Sequence, residues 1–189
     1  MVERILCLII GYGFGCFLTA AVVVRKCRRC SVFTLGTGNP GMANVMAQCG
    51  LFPGILVLIG DVVKTVLAFF VCYLLFREKL GTDLLAAYAG LGAVAGHDFP
   101  FWHRFVGGKG VSCTCAALFC IHPLYGLAAM IVGLLAVLIT KKLAVGAVVI
   151  PAVFLPAAYF VSGKEVLILC LILTALMVLR NLRFSFTKS

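Results

Sequence analysis

The chain has 189 residues, of which 63% are hydrophobic and 12% charged, with a mean hydropathy of +1.18. That is more apolar surface than one water-soluble core can bury, which excludes a soluble globular domain and assigns the chain to a bilayer. A formal net charge of +10 would suit nucleic acid, but the basic residues fall in loops between apolar runs, where Lys and Arg set topology and meet anionic lipid, so no nucleic-acid partner is expected.

Apolar stretches cover residues 5–24, 52–76, 84–95, 111–121, 124–140, 143–161 and 166–179. They predict an all-α, polytopic integral membrane protein with about seven transmembrane helices. A full span takes about 20 residues. Stretches 84–95 and 111–121 are short, so they either extend through flanking residues or form partial helices packed on neighbours. The first stretch follows a charged start, MVER, but is too long for a secretion signal and is expected to be a retained helix. No repeat or linker divides the chain, which is expected to form a single domain over residues 1–189.

Charge fixes the expected orientation. One set of alternate loops holds Arg25, Lys26, Arg28, Arg29, Arg104, Lys109, Lys141, Lys142, Arg180, Arg183 and Lys188, and the other only Arg4, Arg77, Lys79 and Lys164. The asymmetry predicts an external N-terminus, a cytoplasmic C-terminus and two glycine-rich loops, 36–41 and 107–110, on one cytoplasmic face of the plasma membrane. Of the ten cysteines, Cys7, Cys16, Cys72, Cys120 and Cys170 lie within apolar runs and act as small hydrophobes. Cys27 and Cys30 form a C-x-x-C with no second pair and no βαβ context, so they are expected to be membrane-proximal thiols; no metal or cofactor is anticipated.

The first loop, GTGNPG, satisfies G-x-G-x-x-G but follows basic residues at a membrane surface rather than a strand, so the dinucleotide reading fails. The second, GGKGVS, has Gly110 where a Walker loop places its metal-binding Ser or Thr, so it is no ATP site. What remains is anion binding: glycines let successive N–H groups converge, and a helix beginning at Val111 would add partial positive charge beside Lys109. Between the loops, His97 ends a helix of small residues, close enough to Lys109 to serve as base, acid or oxyanion donor. Trp102 and its neighbouring phenylalanines fit an interfacial belt. Within the second span, Asp61 and Lys64 stand three residues apart and share a helix face, which suits a neutralised structural pair better than proton transport.

GTGNPGMAN, then DVVK at 61–64, then GHDFPFWHRFVGGKGV, in this order and spacing, resemble the bacterial membrane acyl-phosphate:glycerol-3-phosphate acyltransferases. That family's pattern is approximately GSGNPGATNVxR, DxxKG and GHxFPxFxxFKGGKGVAT. The resemblance implies seven helices and transfer of a fatty acyl group from acyl-phosphate to the 1-hydroxyl of glycerol 3-phosphate, with membrane lipids as the surroundings. It implies that Gly36, Thr37, Gly38, Asn39, Gly41 and Asn44 frame one phosphate site. Gly107, Gly108, Lys109 and Gly110 would frame the other, with Arg183 also binding substrate. His97, Lys109 and Asn44 would be catalytic, with His97 orienting or deprotonating the hydroxyl. Ala47 and Phe33 stand where the family has arginines, and Arg28, Arg29 and Arg183 are candidates to substitute. These departures leave a second reading, a non-catalytic or altered-substrate relative that binds anionic lipid or a partner.

Overall fold

The computed structural model describes residues 1–186, with side chains through Asn181. The described residues form nine α-helices and contain no strand. The first apolar stretch folds as two helices, α1 (Val2–Gly15) and α2 (Thr19–Arg28), separated where Leu18 adopts an extended backbone. The break frees carbonyls that would otherwise lie unpaired in an apolar setting, and side chains from elsewhere in the bundle take them. Lys64 Nζ donates to Phe17 O at 2.9 Å, and Trp102 Nε1 to Cys16 O at 2.9 Å.

The chain continues through α3 (Met42–Cys49), α4 (Leu51–Phe76) and α5 (Thr82–Asp98). The short α3 falls within residues that carry no long apolar run. Of the two short apolar stretches, 84–95 lengthens through Gly96, His97 and Asp98 into α5. The other stays short as α6 (Val111–Ile121), packed between α5 and α7 (Pro123–Thr140). Next, α8 (Leu143–Ala157) carries Pro151 and Pro156 and runs into a widened turn at Ala158–Ser162 before α9 (Lys164–Phe186). Among the described residues, four segments are long and apolar enough to cross a membrane: Val2–Arg28, Leu51–Phe76, Pro123–Thr140 and Leu143–Ser162.

Helices α1 and α5 cross nearly backbone to backbone, because both present small residues every fourth position. A Cβ on Gly11 would lie 2.2 Å from Ala89 O, and one on Gly92 2.3 Å from Leu8 O. The main core lies between α5, α6, α8 and α9 and includes Leu91, Val94, Cys113, Leu118, Phe154 and Leu173. At one end of the bundle, Arg4 holds Glu165 with two bonds of 2.6 and 3.0 Å while Tyr88 Oη donates to the same carboxylate, tying α1, α5 and α9 together. The glycine loops lie toward the other end of α5, where His97 and Asp98 terminate the helix.

Candidate active site

The first loop is shaped by one asparagine. Asn44, buried near the start of α3, accepts from Thr37 N at 2.8 Å through Oδ1 and donates from Nδ2 to Leu35 O at 3.0 Å. Thr37 Oγ1 accepts in turn from Asn39 N at 3.3 Å. Gly36 and Gly38 have φ of +57° and +72°, a region that disfavours any residue with a Cβ. Space makes the same demand at Gly36, where a Cβ would meet Asn44 Oδ1 at 2.5 Å and Gln48 Cγ at 2.7 Å. Gly41 N-caps α3, so the loop delivers the chain into a helix N-terminus.

The second loop folds over the end of α5. Gly108 N donates to His97 O at 3.0 Å, and a Cβ on Gly108 would lie 2.0 Å from His97 Nε2. Gly110, at φ +70°, N-caps α6. The half-buried Lys109 stands just before it. Arg180, on α9, clamps this loop from behind: Nε donates to Gly108 O at 3.1 Å and Nη2 to Gly107 O at 2.9 Å, with the guanidinium 4.9 Å from the Phe99 ring centroid.

Under the loop lies a buried cluster of three ionisable side chains, Asp61, Lys64 and His97. Lys64 Nζ is 2.8 Å from Asp61 Oδ1 and 2.8 Å from His97 Nδ1, while His97 Nδ1 is 3.7 Å from that same oxygen. The ion-paired ammonium has donors only, so Nδ1 accepts and the neutral imidazole carries its hydrogen on Nε2, the atom facing Gly108. Asp61, His97 and Cys113 also present ligand-type atoms within 4.8 Å of one another. The Lys64 ammonium already holds the Asp61 and His97 atoms, so this trio does not fit a metal cation. Asp98 is wholly buried beside this group, and neither of its oxygens has a hydrogen-bond partner among the described residues.

The two loops belong to one end of the bundle. Phe33, just before the first, and His103, just before the second, have ring centroids 5.3 Å apart. Tyr12 Oη donates to Phe99 O at 2.7 Å, and Trp102 reaches the α1–α2 break, so the FPFWH segment is tied to the first helix pair. Thus Gly36, Thr37, Gly38, Asn39, Gly41 and Asn44 form one cluster, and His97, Gly107, Gly108, Lys109 and Gly110 another. The side chain of Arg183 lies outside the described residues. Sequence reasoning passed over Arg180 and Asp98 as site residues and took Lys64 for a structural partner of Asp61 alone. The signal for Lys64 was an ammonium inside a span; Arg180 had none, since its partners lie more than 70 residues away.

The family model described as glycerol-3-phosphate acyltransferase matches residues 5–184. The chain belongs to that family. It is 37% identical over 176 residues to glycerol-3-phosphate acyltransferase 1 of Lactobacillus johnsonii, covering 93% of this chain and 84% of the relative. It is 34% identical over 169 residues to glycerol-3-phosphate acyltransferase of Clostridioides difficile, covering 88% and 82%. Its fold is similar to the crystal structure of PlsY (YgiH), an integral membrane glycerol 3-phosphate acyltransferase, in its glycerol 3-phosphate form. The TM-score is 0.83 at 23% identity, over 98% of this chain and 92% of that one. The lysophosphatidic acid form gives a TM-score of 0.81 at 22% identity, with the same coverage.

Proposed function

We propose that this protein transfers a fatty acyl group from acyl-phosphate to the 1-hydroxyl of glycerol 3-phosphate, giving lysophosphatidic acid and inorganic phosphate. The observation that carries the reading is the glycine loop closed over His97, with Lys64 behind the imidazole and Arg180 behind the loop. Acyl-phosphate is already activated, so direct attack by the hydroxyl needs position and charge stabilisation rather than a covalent nucleophile. The C–O bond to the glycerol oxygen forms, the acyl–phosphate C–O bond breaks, and the hydroxyl proton leaves with the phosphate.

In this reading residues 36–41, shaped by Asn44, cradle one phosphate, and Gly107, Gly108, Lys109 and Gly110 the other, with Lys109 offsetting charge on the departing group. Arg183 remains a candidate contact to substrate. With Nδ1 occupied by Lys64, His97 offers a hydrogen from Nε2, which suits orienting an oxygen better than removing its proton. Seven crossings of the plasma membrane, an external N-terminus and a cytoplasmic active face are proposed on the loop charges, within a single domain spanning residues 1–189.

Purified protein in detergent or lipid is expected to release phosphate from acyl-phosphate only when glycerol 3-phosphate is present. If glycerol 3-phosphate and related polyols all fail as acceptors, the catalytic reading is lost. Ala47 and Phe33 favour one alternative, a non-catalytic relative that binds anionic lipid; equal phospholipid binding by native protein and a His97→Ala/Lys109→Ala variant, with no turnover in either, would establish it.

A further inference from the structure

Asp98, the last residue of α5, has no task in the acyl-transfer reading. It is wholly buried, and neither carboxylate oxygen has a hydrogen-bond partner among the described residues. Its position is unfavourable on local grounds, because burial penalises a charge and the negative end of a helix dipole repels an anion. A residue placed against both penalties is expected where function demands it.

The second loop wraps around this residue. A Cβ on Gly107 would lie 2.8 Å from the Asp98 carbonyl carbon, and one on Gly110 3.0 and 3.3 Å from the two carboxylate oxygens. Residues 107–110 therefore run from the Asp98 backbone to its side chain. Burial works against a charge on the carboxyl, while Arg180 and then Lys64 work for it. Lys64 is already paired with Asp61 at 2.8 Å. Arg180 is permanently charged, 7% exposed and bonded to the carbonyls of Gly107 and Gly108, so it needs an anion nearby. The first turn of α6, which Gly110 caps, adds amides without intrahelical partners and the positive end of a second dipole. With Asp61 against Lys64, Asp98 against Arg180 and a neutral His97, the cluster under the loop carries no net charge.

We propose that Asp98 is ionised and limits how tightly residues 107–110 hold a phosphate dianion, so that inorganic phosphate departs after acyl transfer. The carboxylate acts through space, on the bound phosphate by repulsion and on Arg180 by neutralising it, and touches no substrate. The proposal rests on the acyl-transfer reading, since it takes the departing phosphate to lie in the second loop. A structural role alone, filling space beneath Gly110, would make loss of the side chain weaken phosphate binding. The charge role makes the same loss strengthen it.

The test uses the full chain with Asp98→Asn and Asp98→Ser, which remove the charge. Inorganic phosphate is titrated by calorimetry into each protein in detergent near neutral pH, and its inhibition constant against acyl-phosphate is measured. Both variants are expected to bind phosphate about tenfold more tightly than native protein, from removal of one charge close to a dianion at an effective dielectric constant of about 20. Equal or weaker binding by Asp98→Asn overturns the proposal, as does absence of phosphate binding to every protein. Should native protein bind phosphate but turn over no acyl-phosphate, the acyl-transfer reading falls separately, and the calorimetric order of affinities still decides Asp98. If neither variant folds, the native protein decides. Its only aspartates are Asp61, Asp83 and Asp98, so infrared spectra of protein labelled with carbon-13 in the aspartate carboxyls contain few bands. Carboxylate bands alone near neutral pH support the charge, and a protonated carboxyl stretch overturns it, Asp61 being ion-paired and Asp83 only half-buried.

Discussion

Replacing Gly108 with alanine adds one methyl group at the point where the second loop meets His97. The Gly108 backbone is outside the left-handed region, so the residue is constrained by space and not by torsion. The new Cβ would lie 2.0 Å from Nε2, 2.7 Å from Cδ2 and 2.9 Å from Cε1 of the imidazole. Ordinary contact between such atoms is about 3.5–4.0 Å, so ring and loop must separate by more than 1 Å. Neither gives easily: His97 is held through Nδ1 by Lys64 at 2.8 Å, and the loop by Arg180 and by Gly108 N on His97 O. Overpacking of this kind costs roughly 1–3 kcal/mol of stability. A misplacement near 1 Å in a positioned site costs about a hundredfold in rate. Phosphate release from acyl-phosphate in the presence of glycerol 3-phosphate is therefore expected to fall about a hundredfold in kcat/KM. Gly13→Ala is the control, since its Cβ meets nothing within 4 Å. Native kcat/KM in Gly108→Ala would refute the apposition of loop and imidazole; an equal loss in Gly13→Ala would show that glycine replacement acts through the bundle at large.

Other consequences follow from the same contacts. Lys64→Met leaves Asp61, 2% exposed, without its cation; a loss of about 3–5 kcal/mol is expected in denaturation measurements, with Asp61→Asn/Lys64→Met recovering part of it. Arg180→Lys cannot reach two adjacent carbonyls as a fork, so kcat/KM should drop about tenfold while the fold, followed by circular dichroism, persists. Gly92→Ala would set its Cβ 2.3 Å from Leu8 O, so the melting temperature should fall through separation of α1 and α5, unlike in Gly13→Ala.

The helical class and the membrane setting were legible in composition and in runs of apolar residues, because a bilayer requires every backbone group to be paired locally. The shape of the two loops was legible as well: Gly36, Gly38 and Gly110 sit where positive φ is needed, and Val111 does begin a helix. The break at residues 16–18 was hidden, since hydropathy is continuous across it and the carbonyls of Phe17 and Cys16 are taken by Lys64 and Trp102 from other segments. The short α3 was hidden for a related reason, its eight residues being too few to show a period.

The sequence by itself determined an all-helical membrane chain with two glycine loops, an ionisable pair inside a span and a histidine between them, because these depend on residue type and local spacing. Tertiary structure alone decided that Lys64 serves His97 as well as Asp61, that Arg180 braces the second loop and that Arg28 holds the Gln48 carbonyl at the end of α3. The Lys64–His97, Arg180–Gly108 and Arg28–Gln48 contacts each join segments 20 or more residues apart in the chain, so they depend on how the helices pack and not on local spacing.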